Sequence, residues 1–200
     1  MDAVARSREF DRLAVVRAAR QFFWEHGYED ASIAGLENAT GLNRSSIYNA
    51  FDSKRGLFDA AVQSYLDEVV RPRLAPLQAE PVAPDALAGY LDGLHEAFAL
   101  VGSMPAEHGC LLINAAGAPV ARDAEVARVI DDYRGELHDA IARGIAAALP
   151  AASDERHARL ADAVTGLVVA AFALVRPSPR EATRALETAA ALVDAESVRD

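Results

Sequence analysis

The stretch Ser32 to Phe58, SIAGLENATGLNRSSIYNAFDSKRGLF, holds two short helical patterns and the start of a third. Gly41 stands where the first must stop, because glycine enters a left-handed turn without steric cost. Ser32 is the N-cap candidate for this first helix. Asn43 plays the same part for the second, its side-chain oxygen placed to accept from the free amides of the next turn. The second pattern, 44–51, is short, with Ile47, Tyr48 and Phe51 at offsets 0, 1 and 4. That spacing leaves Arg44, Ser45, Ser46 and Asn49 facing out. Ser53 then caps a longer helix with Lys54 in its first turn. Two short helices crossing at a glycine turn, the second presenting Arg, Ser and Asn, is the helix-turn-helix plan for a DNA major groove.

From about Val15 to Leu57 the chain resembles the N-terminal DNA-binding domain of the TetR family of bacterial repressors. The resemblance is carried by VRAARQFFWEHGYEDAS, by the Leu-x-x-Ala-Thr-Gly-Leu turn from Leu36 to Leu42, and by NRSSIYNAFDSKRGLF. Phe23, Gly27 and Tyr28 match the family's end to its first helix. Tyr48, Phe51, Ser53 and Lys54 match the segment around the end of its recognition helix. Glu37 and Thr40 stand where small Ala is usual, Asn49 and Ala50 where His and an aromatic are usual, and Asp52 where Pro is usual. A Gly-Cys-Leu-Leu run at Gly109 to Leu112 is also similar to TetR relatives. The resemblance implies an all-α protein: a three-helix DNA-binding domain, residues 1–55, a connecting helix at 54–70, and a larger helical effector-binding and dimerising domain, 71–200. It further implies double-stranded operator DNA, a small-molecule effector and a second copy of the chain as partners.

Composition agrees with such a fold. The chain has 200 residues, 52% of them hydrophobic, with abundant Ala and few aromatics, which suits closely packed helices. One cysteine excludes an internal disulfide and suits a reducing compartment. The N-terminus lacks a signal-like apolar run, and Ala163 to Val175 is too short to span a bilayer, so a soluble cytoplasmic protein with no membrane partner is expected. The net charge of −10 is unevenly spread. Residues 1–55 carry eight basic and eight acidic side chains; the remaining twelve basic and twenty-two acidic residues supply the whole excess. A neutral domain with local Arg and Lys still binds DNA, since what matters is how many phosphates it neutralises.

Residues 1–9 read as a solvated arm in which Arg6 and Arg8 are candidate DNA contacts. A helix is expected over 10–26, ended by Gly27, and another over 54–70. Arg71-Pro72, Pro76, Pro81 and Pro84 mark 71–84 as a loop-rich connection. Helical spacing continues at 85–101, 110–116, 123–149, 153–175 and 179–195, with 102–109 as a loop. The last two carry wide apolar faces. Leu160, Val164, Leu167, Ala171, Leu186, Ala189 and Val193 are therefore candidates for a homodimer interface built as a four-helix arrangement.

The site candidates follow from chemistry. Arg44 suits guanine and Asn49 adenine, while Ser32, Asn43, Ser45 and Ser46 are candidates for base or phosphate contacts. The resemblance makes Tyr48 and Lys54 phosphate contacts, which set register and carry no sequence information. An effector pocket between helices would draw on Leu94, His95, Phe98, Met104, Cys110, Asn114, Tyr133 and Phe172. Inward basic groups are few, so a largely apolar effector is expected. Cys110 also admits a thiol-based redox or electrophile sensor. No nucleophile-base motif, phosphate loop or metal motif is present, so no cofactor, metal or enzymatic activity is expected. A helical enzyme that kept the helix-turn-helix as scaffold would be distinguished by having no sequence-specific DNA complex.

Overall fold

The computed structural model describes residues 2–197, with side chains from 12 to 196. Among these residues every regular element is helical. Helix α1 spans Asp2–Asp30, α2 Ile33–Thr40, α3 Arg44–Phe51 and α4 Lys54–Tyr65. The backbone of α1 starts well before residue 10, so the expected arm is helical; the side chains of Arg6 and Arg8 lie outside the described residues. Near its other end α1 is interrupted at Gly27, whose φ of 76° and ψ of 172° are not helical.

The local signals in the opening stretch each find a partner. Ser32 Oγ accepts from Gly35 N at 3.0 Å, Asn43 Oδ1 from Ser46 N at 2.9 Å, and Ser53 Oγ from Gly56 N at 3.0 Å. Each satisfies an amide that the first turn leaves without an intrahelical acceptor. Gly41 closes α2 with φ 71°, and its N–H bonds Glu37 O. Gly35, an unfavourable residue inside a helix, is explained by packing: a Cβ there would stand 2.4 Å from the Phe22 ring. Phe23, Leu36, Ile47, Phe51, Leu57 and Phe58 close a small core against which α3 is held.

Beyond α4 the chain does not fall into a loop. A π-helical turn, Leu66–Val70, runs into α5, Arg71–Gln78. Pro72 sits in the first turn of α5, where a missing N–H costs nothing, and the wide turn before it absorbs the ring. The expected connection at 71–84 thus shrinks to residues after Gln78. Helix α6 spans Ala86–Ala99, α7 Met104–His108 inside the expected loop, and α8 Leu111–Ala116. A 3-10 turn, Pro119–Arg122, leads to α9, Ala124–Ala148, capped by Asp123. Helices α10, Asp154–Leu174, and α11, Pro179–Ser197, complete the fold. Helix α10 is long and apolar enough, by length and composition, to cross a membrane, contrary to the shorter run expected from the sequence. It packs instead between α9 and α11, with Leu160, Val164, Val168 and Phe172 buried.

Candidate functional site

The outward face of α3 carries Arg44, Ser45, Tyr48 and Asn49, all exposed, with Ser46 half-buried. The Arg44 guanidinium lies 5.5 Å from the centre of the Tyr48 ring, within cation-π range, so the two side chains form one surface. Tyr48 is 36% exposed, which leaves it free to reach a backbone and excludes it from the core. Ser32 and Asn43 are spent chiefly as caps. Lys54 points back at α1: its Nζ donates to Glu29 O at 3.3 Å and sits 4.5 Å from the Tyr28 ring centre. Burial pushes its ammonium pKa down.

The departures from the TetR pattern have local reasons. Glu37 Oε1 accepts from Arg44 N at 2.5 Å, so this carboxylate reaches across the turn and satisfies the start of α3 where its dipole favours negative charge. Thr40 Oγ1 donates to Leu36 O at 2.6 Å and accepts from Leu42 N at 3.3 Å, stitching the turn. Asp52 closes α3 with φ 63°, a conformation that a proline ring forbids. Arg12 holds the same end of α3 through Ala50 O at 3.0 Å and lies over the Phe51 ring. Arg17 and Arg20 are committed to Glu68, at 2.9 and 2.8 Å, and so do not serve the α3 face.

A second site lies among α4, the π turn, α5, α6, α9 and α10. Here a cavity of about 20 Å³ is lined by Tyr65, Arg73, Tyr90, Leu94, Tyr133 and Phe172, among others. That volume holds a water and no organic effector, so occupation needs rearrangement. Of the candidates, Leu94, Tyr133 and Phe172 line it, and Phe98 stacks edge-on to Phe172 with ring centres 5.5 Å apart. Cys110, fully buried, stands beside it and donates to the Tyr133 hydroxyl at 3.5 Å. Met104 is half-buried against the core. Two candidates are turned away: His95 is exposed on α6, and Asn114 is exposed with its amide donating to His108 O at 2.7 Å. Sequence reasoning missed Tyr65, Tyr90 and Arg73. Burial holds all three tyrosine pKa values above the ordinary range, so the hydroxyls stay protonated.

The two sites meet at one corner. Trp24, buried in α1, donates from Nε1 to Gly109 O at 3.1 Å and packs edge-on to Tyr65 at 4.8 Å. Glu29 Oε1, near the end of α1, accepts from Val120 N at 2.7 Å. Arg55, in the first turn of α4, reaches Asp123 at 2.8 Å and Asp59 at 2.7 Å, with Glu125 at 3.7 Å. Asp123 is held below the usual carboxylate range, first by its bond to Arg55. The residue after Gly109 is Cys110, so the α1 indole is one peptide unit from the thiol that bonds Tyr133 of the cavity wall.

The dimer candidates need correction. Leu160, Val164, Ala171, Leu186, Ala189 and Val193 are all buried within the single chain, where they close α10 and α11 on each other and on α9. Only Leu167 remains half-exposed, on an outward strip of α10 with Ala163, Gly166, Ala170 and Ala173. The apolar faces were wide because they serve the chain's own core.

A helix-turn-helix exposing Arg44, Tyr48 and Asn49, fused to an all-helical body, defines a DNA-binding transcriptional regulator. Residues 15–61 match the family model of the bacterial regulatory proteins, tetR family. An uncharacterised HTH-type transcriptional regulator of Bacillus subtilis, YezE, is 30% identical over 142 residues, 71% of this chain and 72% of that protein. The HTH-type transcriptional repressor ComR of Escherichia coli is 36% identical over 110 residues, 54% of this chain and 51% of its own. A cysteine mutant of the TetR-family regulator CifR, solved with 26-base-pair operator DNA, superposes with a TM-score of 0.72 at 29% identity, covering 90% of this chain and 94% of that one. The chain belongs to the TetR family of bacterial transcriptional regulators.

Proposed function

We propose that the protein is a ligand-responsive transcriptional repressor that binds a near-palindromic operator as a homodimer and is released by a small, largely apolar effector. The observation that carries this reading is the corner where Trp24, Glu29 and Arg55 tie the DNA-reading helices to the 109–123 segment, whose Cys110 bonds Tyr133 of the cavity wall. A change in the cavity displaces this corner and with it α1 and α4, which position α3. The repressor role is supported by relatives that are transcriptional repressors, such as ComR, and DNA binding by the operator complex of CifR. The protein acts in the cytoplasm, on DNA, without catalysis.

In the dimer the outward strip of α10 around Leu167 faces its copy, setting two α3 helices about 34–36 Å apart, one DNA turn. Effector must favour the DNA-incompetent state; equal affinity for both shifts nothing. The test is selection of bound fragments from genomic DNA, followed by titration of the selected site at two salt concentrations. A sequence-specific, salt-dependent complex supports the reading; purely non-specific binding refutes it.

A second reading, a thiol sensor, is favoured by the position of Cys110 next to the carbonyl that Trp24 holds. Alkylation of the protein while operator binding is followed separates the two readings. Release in step with thiol loss favours the sensor.

A further inference from the structure

Two donors at the cavity have no protein partner among the described residues: Arg73, exposed at its rim, and Tyr90, half-buried in its wall. Arg73 lines the cavity, and among the described residues it has no ion-pair or hydrogen-bond partner. Its neighbours differ: Arg71 is paired with Asp67 and Glu136, and Arg143 caps the end of α5 through Leu77, Gln78 and Ala79 carbonyls. Tyr90 lines the same cavity from α6, and its hydroxyl likewise has no partner among the described residues. Arg73 lies near enough to Tyr65 and Tyr90 to favour their ionised forms, against the stronger effect of burial. No Asp or Glu is among the residues lining the cavity. An arginine fork at the rim and a protonated phenol in the wall of a space without carboxylates make a recognition set for a planar anion.

The remaining wall is apolar, with Leu94, Leu137 and Phe172. Phe172 faces the cavity, while its partner Phe98 lines an outer groove of about 820 Å³ beside the start of α11. The two rings touch, so the pair links the wall of one space to the wall of the other. Turning it out joins them and gives length for an apolar body behind an anionic head.

We propose that the effector is a monoanion, a carboxylate on an apolar body, whose head is held by Arg73 and the Tyr90 hydroxyl and whose body displaces the Phe98–Phe172 pair. This rests on the ligand-responsive reading above and specifies the chemistry of its ligand. A single charge is compatible with a site whose other walls are hydrocarbon; a polyanion is not.

The test uses the full-length protein and matched probes: benzoate against benzamide, and octanoate against octan-1-ol. Calorimetric titration measures affinity. Trp24, the only tryptophan of the chain, reports the corner by its emission because it packs on Tyr65. At least one carboxylate should bind about 10- to 100-fold more tightly than its neutral match, the ratio expected for hydrogen bonds to a charged group. Arg73→Gln, an exposed position that leaves the core intact, should abolish that preference and leave neutral binding unchanged. Tyr90→Phe should reduce it in part. Equal binding of acids and neutral matches, a preference that survives Arg73→Gln, or no binding of either carboxylate overturns the proposal. Operator titration on the same preparation separates the failures. A specific complex unaffected by the carboxylates sinks the ligand chemistry alone; absence of a specific complex sinks the regulator reading and this inference with it.

Discussion

Replacing Trp24 by Phe tests whether the corner holds the two halves of the molecule together. The indole N–H donates to the Gly109 carbonyl at 3.1 Å in a buried setting. Phenylalanine keeps much of the edge-on contact with Tyr65 but leaves that carbonyl without its partner. An orphaned buried acceptor costs about 1–3 kcal/mol. The smaller ring adds roughly 1 kcal/mol of lost packing. Together these amount to about 2–4 kcal/mol, and for a chain of this size each kcal/mol moves Tm by about 2–4 °C. Scanning calorimetry should therefore show Tm lowered by roughly 5–15 °C. Well below that temperature, operator affinity should stay within about twofold of wild type, since α3 is untouched, while the response to effector should weaken. An unchanged Tm would mean that the indole bond contributes nothing. An unchanged Tm together with normal induction would remove the corner from the mechanism altogether.

Arg44→Ala should relax preference at one operator position, by about 1–3 kcal/mol, measured by titration against a set of single-base operator variants. Lys54→Ala should weaken all sequences alike and flatten the salt dependence, and should also lower Tm, because Lys54 bonds Glu29 O. Asn43→Ala should cost about 0.5–2 kcal/mol of stability and raise hydrogen exchange in α3, since Ser46 N loses its acceptor. Leu167→Glu, on the outward strip of α10, should yield folded monomers in sedimentation; a dimer that persists places the interface elsewhere. On acidification, Glu68 and Asp123 each give up a small share of stability, since both pairs are partly exposed to solvent. Arg17 and Arg20 hold Glu68, and Arg55 holds Asp123, below their ordinary carboxylate values. A depressed folded pKa gives stability that is full above the unfolded value and lost as pH falls through the folded one. Melting across pH 7 to about pH 2 should show this loss below about pH 4–4.5, and Arg55→Gln should remove Asp123's share.

The DNA-reading half was legible because its signals are local. Ser32, Asn43, Ser53 and Gly41 act within three or four residues of themselves, and the structure uses each as a cap or turn. The stretch 71–84 was misread because proline frequency says loop, whereas Pro72 in a first turn is compatible with a helix. The cavity was only partly legible. Tyr65, Arg73 and Tyr90 come from three separate elements, and periodicity on any one of them says nothing about their convergence. Asn114, a pocket candidate within the apolar run of α8, faces solvent instead. The dimer residues failed for a related reason: an apolar stripe shows that a face is covered, and leaves open whether the cover is the same chain or another.

The corner also bears on how relatives of this protein could exchange parts. Regulators of this kind invite chimeras, in which the DNA-reading helices of one chain are grafted onto the sensing body of another. Here the graft boundary at residue 55 runs through bonds. Trp24 needs the carbonyl at 109, Glu29 the amide at 120, and Arg55 the carboxylate at 123. A donor half that lacks an indole, a carboxylate and a guanidinium at those three positions would fold beside the new body without being fastened to it. Such a hybrid would read its operator and ignore its ligand. Viable chimeras must carry the 109–123 segment along with the DNA-reading helices, as one inherited block.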